Sequence, residues 1–338
     1  MFDNIIKLVV GSDEFKFWSS FTLTRNIDTF DTFSFDAPFG ENAGIRDIIK
    51  PLQFKSGQIF IDDKLVSTIT IVNALPTLGS EANSISVDGY AKPGVLNDCS
   101  VRHSDYPLEF DGQTLAQIAT TLSGFYGIGA VFTESSGAPF EKAKLEAGQD
   151  PFDFLIKLAR DRSFLISSTA LGKILFRKAA KNPRSTTLKQ GHTPLLSVTP
   201  NINPQVYRSE ITGLSPGNSE AVTVNNTNLD VLRPLVYKLK QEQSGADLQN
   251  AVKWKMGMMF ANAISYSIVV QGLRDERGDI WETNKYINLT APGAYIDNET
   301  KFLIKSLVLN KSDSETTTMN LVLPESYSGE IPKRLPWD

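Results

Sequence analysis

The chain has 338 residues, of which 41% are hydrophobic and 21% charged, and its formal net charge is −4. This length exceeds one ordinary hydrophobic core and predicts two to four domains, while the balanced composition excludes wholesale disorder. A single cysteine, Cys99, excludes an intrachain disulfide and a cysteine-based metal site.

The N-terminal residues 1–93 show the alternation of half-buried antiparallel strands. Apolar and polar residues alternate in the runs 5–10, 21–25, 33–35, 58–61, 66–72 and 84–87. Asp62 and Asp63 stand between two of these runs and predict a hairpin turn. Many short strands in one region favour a small barrel or sandwich, so we predict a β-barrel-like domain over residues 1–93.

Residues 94–182 predict a small α+β domain with two helices. Thr114 and Gln117 match a capping box at the start of the first helix. Asp150 as the N-cap residue and Pro151 in the first turn predict the second helix. Gly172 lies between two apolar runs and predicts the turn of a closing hairpin.

Residues 183–338 predict a second β-rich, barrel-like domain. Strand patterns at 195–198 and 206–211 precede a polar, loop-like region at 216–228. A long helix is expected over 246–264, because apolar residues recur there at helical spacing. Strand patterns return after this helix, so the predicted fold class is α+β, mainly β, with two β-rich domains and one small α+β domain; the resemblance described below implies that both β-rich domains are barrel-like.

Composition and motifs favour a non-enzymatic protein. A Cys99–His103 catalytic pair is possible in spacing, but a loop or interface thiol explains Cys99 more simply. The phosphate-loop, zinc-protease, serine-hydrolase and calcium-loop motifs do not occur in the sequence. We therefore predict no catalytic residue, no cofactor and no bound metal.

Membrane and nucleic-acid signals are also weak. The sequence contains no run of about 18 apolar residues, so no membrane-spanning helix is predicted. The segment 1–12 contains Asp3 before its apolar stretch and is typical of a strand, so we expect the protein to fold in the cytoplasm without a secretion signal. The densest basic cluster, at 177–181, is explained as the solvated end of a strand, so specific nucleic-acid recognition is not expected.

Three stretches of sequence carry a resemblance to a known family. They are residues 8–35 with Trp18–Asp28 at their centre, residues 113–176 with Gln113–Ala119 and Pro151–Arg160, and residues 278–337 with Gly278–Trp281 and Pro336–Trp337. In their order and spacing they resemble the baseplate hub proteins of phage Mu and its relatives, the P-type tail proteins. The chain departs from that pattern in lacking a long charged extension after its last strand.

The resemblance implies a structural role in a contractile phage tail. Family hubs are homotrimers in which two barrel-like domains per subunit form a pseudo-sixfold ring. This ring would adapt the hexameric tail tube to the trimeric central spike, with the α+β domain facing other baseplate proteins and DNA only in transit. The protein would reside in the baseplate of the virion tail after assembly in the host cytoplasm. As aromatic anchors of the interface we predict Trp18, Phe39 and Trp281.

Three other functions compete with this interpretation. The first is the hub of a type VI secretion system or another contractile injection system, which shares the architecture. The second is a tail-associated cell-wall hydrolase, which would need two carboxylates flanking the cleaved bond. The third is a carbohydrate-binding β-sandwich module.

Overall fold

The first region is built from short strands with one buried side. The structure, a computed structural model, describes residues 4–38, 48–80, 83–179, 185–216, 219–239 and 245–338. Burial alternates along β1 and β4, as expected for strands with one face on a core. The strands of this region are β1 (Ile6–Val10), β2 (Asp13–Phe15), β3 (Ser20–Asn26), β4 (Thr32–Pro38), β5 (Ser56–Ile61), β6 (Lys64–Leu78) and β7 (Asn83–Ala91).

The second region folds around a hydrophobic cluster of its own, which includes Leu115, Phe152 and Phe176. Strand β9 pairs in parallel with β12, and β12 pairs with β11 across the hairpin predicted at Gly172. The elements are α1 (Val95–Asp98), β8 (Leu108–Glu109), α2 (Leu115–Gly124), β9 (Ala130–Phe132), β10 (Lys144–Leu145), α3 (Pro151–Asp161), β11 (Leu165–Ser168) and β12 (Ile174–Arg177).

Two helix starts in this region test the capping predictions. The capping box of α2 is confirmed, because Thr114 Oγ1 accepts from the Gln117 backbone N–H at 3.3 Å and Gln117 Oε1 accepts from the Thr114 N–H at 2.8 Å. Asp150 does occupy the N-cap position of α3, but its side chain makes no capping hydrogen bond. Pro151, whose fixed φ suits a first helical turn, is the part of the predicted signal that is present.

The third region alternates strands around one long helix. The predicted helix is confirmed as α4 (Gly245–Ala263), with Leu248, Val252 and Phe260 fully buried. The region predicted as loop at 216–228 contains a strand, which sequence reasoning missed because its residues are half-exposed. The elements are β13 (Ser185–Lys189), β14 (Leu195–Ile202), β15 (Glu210–Leu214), β16 (Ala221–Asn225), β17 (Pro234–Lys238), α4, β18 (Ile264–Gln271), β19 (Tyr286–Ala291), β20 (Ile296–Lys311) and β21 (Glu315–Val322).

The first and third regions share one 13-stranded sheet. Its path is β14-β18-β21-β20-β3-β4-β7-β6-β5-β1-β2, with β19 and β13 branching from β20. One hydrophobic cluster includes residues of both regions, among them Leu8, Phe35, Tyr266 and Leu309. The mainly-β α+β class is confirmed. Two closed barrels are not seen, because over the described residues this sheet ends at β14, at β2 and, on its branch, at β13. Alternation predicts strands but not their partners.

A polar cluster fastens the start of the chain to the last hairpin. Arg274 Nε donates to Asn4 Oδ1 at 2.6 Å, and its guanidinium is paired with Asp62. Asn4 in turn donates to Glu315 through its backbone N–H at 2.9 Å and its side chain at 2.6 Å. Lys311 completes the cluster 3.1 Å from Glu315. The cluster therefore joins β1 to the β20–β21 hairpin across almost the whole sequence.

Replacing Arg274 by methionine should destabilise the fold by about 1–2 kcal/mol, because buried Asn4 would lose a charged hydrogen-bond partner, whereas Asp62 is 42% exposed and can be solvated. The loss should appear as a lower midpoint in urea unfolding. Arg277→Met is the matched control in the same loop, since Arg277 is 45% exposed and lies 3.9 Å from an exposed Glu276. The control should stay within about 0.5 kcal/mol of the unchanged chain. Equal losses in both variants would contradict the role of the cluster.

Candidate assembly surface

Eight strands of the large sheet form one continuous antiparallel stretch, in the order β14-β18-β21-β20-β3-β4-β7-β6. In the inner strands of this stretch alternate residues are buried, including Phe21, Phe35, Leu309 and Met319. In β14 only Leu195 is buried, and residues 75–78 of β6 are exposed. The registers align the intervening residues on the opposite side of the sheet, where they are half-exposed or exposed. The stretch thus has one core face and one open face.

The open face is polar and almost uncharged. We call it the polar face; its hydroxyl and amide residues include Ser20, Thr22, Thr24, Asn26, Thr32, Ser34, Thr70, Asn73, Thr77, Ser84, Ser86, Ser197, Thr199, Asn201, Ser265, Ser267, Gln271, Ser306, Asn310, Thr316, Thr318 and Asn320. The two carboxylates on it are locally bonded, Asp36 to Ser20 Oγ at 2.7 Å and Asp88 to Asn73 Nδ2 at 2.9 Å. Among the paired positions of these described strands, no lysine or arginine lies on this face.

Strand β14 is one free edge of this stretch. The Asn203 N–H donates to the Ala263 carbonyl at 2.8 Å, which places the backbone groups of every second residue toward β18. By this alternation, the backbone groups of Val198, Pro200 and Ile202 point away from β18. Proline, which has no N–H, therefore sits where it breaks no bond within the sheet. The strand has no charged residue, and Leu196 and Ile202 are 54% and 42% exposed.

The outer part of β6, residues 72–78, is the other free edge. Strand β5 pairs with β6 only as far as Thr70, whereas β7 pairs with β6 as far as Leu78. Residues 72–78 therefore have a strand on one side only, among the residues that the structure describes. This edge is also uncharged, and Leu75 and Leu78 are 56% and 71% exposed. We call β14 and this part of β6 the two open edges.

Strand β2, another end of the sheet, differs from the two open edges. It has three residues, of which Asp13 and Glu14 are charged and exposed. Short length, charge and proline are the usual protections of an edge strand against pairing with another chain. The open edges are longer than β2 and uncharged, and each contains one proline, Pro200 in β14 and Pro76 in β6. Their length and lack of charge make them the candidate sites for contact with other subunits.

The predicted interface residues occupy different environments. The Trp18 ring is half-buried, with its centroid 4.2 Å from that of Phe35, so part of its surface remains accessible. Trp281 is only 4% exposed and belongs to the large hydrophobic cluster, so its ring offers little surface to a partner. Phe39 lies outside the described residues. Trp18 stays a prediction, whereas burial argues against Trp281 as an exposed anchor.

The described residues give no geometry for metal or thiol chemistry. Within them, no group of three or more His, Cys, Asp or Glu side chains lies close enough to hold a metal ion. Cys99 is exposed, and partial desolvation with nearby Asp98 and Asp150 raises the pKa of its thiol. A raised pKa disfavours the thiolate that a nucleophile requires. No helix in the described part of the chain is long and apolar enough to span a membrane.

Comparison with known proteins points to phage tails. Residues 93–178 match the family model described as "Baseplate hub protein gp44-like, second domain". Over 342 residues the chain is 21% identical to "Baseplate hub protein gp44" of Escherichia phage Mu, which covers 96% of this chain and 89% of that protein.

Solved structures share the fold over nearly the whole chain. The 43 kDa tail protein of prophage MuSo2 from Shewanella oneidensis has a TM-score of 0.84 at 21% identity, covering 96% of this chain and 99% of that one. A tail protein from Neisseria meningitidis MC58 has a TM-score of 0.83 at 18% identity, covering 98% and 100%. An E. coli type VI secretion component, c3393, scores 0.60 at 12% identity, covering 99% and 76%.

These findings confirm the resemblance to Mu-like baseplate hub proteins that the sequence predicts. That family consists of structural proteins and not of enzymes. Sequence reasoning missed the two open edges. The sequence shows them only as uncharged strands, and they can be recognised as edges only once the pairing of the strands is known.

Proposed function

We propose that this chain, a relative of the Mu-like baseplate hub proteins, is the structural hub of a phage tail baseplate and acts as a homotrimer. The observation that carries the proposal is the presence of two uncharged open edges on one antiparallel sheet. An uncharged edge left without a partner would promote uncontrolled association, so such edges are expected to be covered in the assembled protein. A closed ring of identical copies would cover both at once.

The strand order is compatible with such a ring. Because the antiparallel stretch has eight strands, β14 and β6 run in opposite directions. If copies are related by rotation about an axis along the strands, β6 of one copy meets β14 of the next in antiparallel pairing, as everywhere else in the sheet. Repeating this head-to-tail contact gives a closed ring when the rotation between neighbouring copies is a whole fraction of a full turn. Tilt of the strands relative to the ring axis would offset the strands of neighbouring copies along their length. The number of three subunits comes from the resemblance.

The adaptor role follows from the same ring. A trimer in which each subunit presents two similar sheet segments has pseudo-sixfold character, which suits a hexameric tail tube on one side and a trimeric spike on the other. We place the boundaries of these segments at 1–93 and 183–338, as the sequence predicts. The α+β domain at 94–182 has a separate core and would lie outside the ring, facing other baseplate proteins.

The polar face would line the ring. DNA is held mainly by lysine and arginine contacts to its phosphates. A wall of hydroxyl and amide groups without such cations would let DNA pass without retaining it. This fits a hub through which DNA moves in transit, in a virion baseplate assembled in the host cytoplasm.

The mass of the purified chain in solution tests the trimer. Light scattering coupled to size exclusion should give three times the 37.3 kDa of the chain at micromolar concentration. A trimer would justify mixing experiments with tube and spike proteins. A monomer that also fails to trimerise with the spike protein of the same phage would contradict the proposal.

A further inference from the structure

The three regions of the chain meet at a polar cavity. Strand β3 and Asp31 line it from the first region, the β11–β12 hairpin from the second, and residues 280–283 from the third. Its volume is about 260 Å³, enough for a small ion with a few waters. Its lining includes the side chains of Arg25, Asp31, Ser167, Arg177 and Thr283.

The buried charges around this cavity do not balance. Arg25 Nε lies 3.4 Å from Asp31 Oδ2, with 14% and 10% of the two side chains exposed. Arg177 lies within the electrostatic reach of the same carboxylate, so two guanidinium groups share Asp31. At the rim, Lys64 and Glu282 are 3.8 Å apart and both more than 40% exposed, and Glu282 also attracts Arg177. Over the whole lining, three cations (Arg25, Lys64 and Arg177) face two carboxylates (Asp31 and Glu282), which leaves one net positive charge.

Hydrogen-bond donors are also left over. Arg177 Nη2 donates to Thr283 Oγ1 at 3.0 Å, but Arg177 Nε has no hydrogen-bond partner among the described residues. Ser167 is 4% exposed, and its hydroxyl likewise has no partner there. Buried donors without an acceptor cost free energy, so they are normally satisfied by water or a ligand.

Burial shifts the ionisation of two groups at the cavity. It raises the pKa of Asp31 more than Arg25 and Arg177 lower it. It also lowers the pKa of Arg177, which Asp31 and Glu282 counteract. An added negative charge would favour the charged form of Arg177, whereas the Asp31 carboxylate would oppose it.

We propose that this cavity binds a small tetrahedral oxyanion, of the phosphate or sulfate class, between Arg25 and Arg177. A tetrahedral oxyanion supplies several acceptor oxygens at once, and guanidinium groups bind such anions with paired, charge-assisted hydrogen bonds. Arg177 belongs to the α+β domain and Arg25 to the large sheet. The bound anion thus fastens the α+β domain to the sheet, independently of whether the chain forms a ring.

Phosphate titration of the purified full chain tests this site. Isothermal titration with inorganic phosphate, at constant ionic strength in chloride buffer, should show saturable binding of one anion per chain. The thermal midpoint should rise with phosphate along the same saturation curve, because only the folded state binds. Sulfate should compete for the site, which would show that the tetrahedral shape and charge are recognised. Weak, non-saturating heats would mean that water alone fills the cavity, and this would overturn the proposal.

Ser167→Ala locates the binding. Loss of one hydrogen bond to a charged ligand should raise the dissociation constant for phosphate by about tenfold or more. The small change removes an atom without adding bulk, so the variant should fold, which its midpoint without phosphate verifies. Ser86→Ala on the polar face is the control and should bind phosphate as the unchanged chain does. Unaltered affinity in Ser167→Ala would place the anion elsewhere and overturn the assignment.

Discussion

With Leu196 and Ile202 both replaced by lysine, the chain is expected to be a monomer at concentrations at which the unchanged chain is a trimer. Both side chains are about half exposed in the single chain, so the fold itself should lose little stability. At the proposed contact they would face residues 72–78 of the next copy, which contain no carboxylate. Burying each unpaired ammonium costs several kcal/mol, enough to dissociate the ring. Sedimentation velocity at several concentrations measures the change.

The control variant adds the same two positive charges at exposed positions outside the open edges. Leu171 and Leu232 are 68% and 79% exposed and lie outside the two open edges. The Leu171→Lys, Leu232→Lys double variant adds the same two charges and should remain a trimer. A trimer in the edge variant would rule out β14 as the contact. Loss of the trimer in both would mean that added positive charge alone drives the subunits apart.

The other open edge, the outer part of β6, can be tested with the same sedimentation measurement. Leu75→Lys and Leu78→Lys place charges on the outer part of β6, where both residues are more than half exposed. In a head-to-tail ring, blocking either edge removes every contact, because each interface uses one edge of each kind. Equal amounts of the β14 variant and the β6 variant should form at most one contact per pair, and hence dimers. Dimers would distinguish the head-to-tail arrangement from an interface that uses β14 twice.

Local signals in the sequence were sufficient for the helices. The capping box at Thr114 and Gln117 involves residues three apart, and the buried side of α4 repeats with the helical period, so neither depends on distant contacts. Strand β16 was missed because only alternate, half-buried valines mark it. Its burial comes from packing near α4, which the sequence does not display.

Pairing between distant strands was beyond sequence reasoning. Strand β3 pairs with β20 across most of the chain, as in the register of Leu23 with Leu309. Alternation is the same whichever partner a strand takes, so it predicted two barrel-like units where one open sheet is found. The open edges could not be named without that pairing. Trp281 is buried in the single chain, and its proposed interface role stays a prediction, because large aromatics are favoured in cores and interfaces alike.

The resemblance to phage hubs carried the functional prediction further than composition could. Composition and absent motifs argued only that enzyme chemistry was not expected. The order of three weak stretches, including Pro151–Arg160 in the α+β domain, indicated the family, and the matched residues 93–178 enclose that segment.

Gly89→Ala is expected to destabilise the fold by about 3 kcal/mol or more and to disturb the ring contact as well. Gly89 lies in β7 opposite the point where the register of β6 shifts between Ile71 and Asn73. A Cβ atom at this position would stand 2.1 Å from the Thr70 carbonyl oxygen and 3.1 Å from Cε1 of Phe33. Neither can withdraw freely, since one is backbone and the other belongs to a buried ring, so the strands must separate.

The outer part of β6 begins just beyond this bulge, so its direction depends on the close approach at Gly89. Gly124→Ala is the matched control, because a Cβ atom at Gly124 meets nothing within 4 Å. At the last residue of a helix, the control should leave stability unchanged or raise it by up to about 1 kcal/mol. Urea unfolding measures stability, and sedimentation measures assembly. If Gly89→Ala lowered stability yet left a trimer of normal affinity, residues 72–78 could not be the second edge, because their geometry would have changed without consequence.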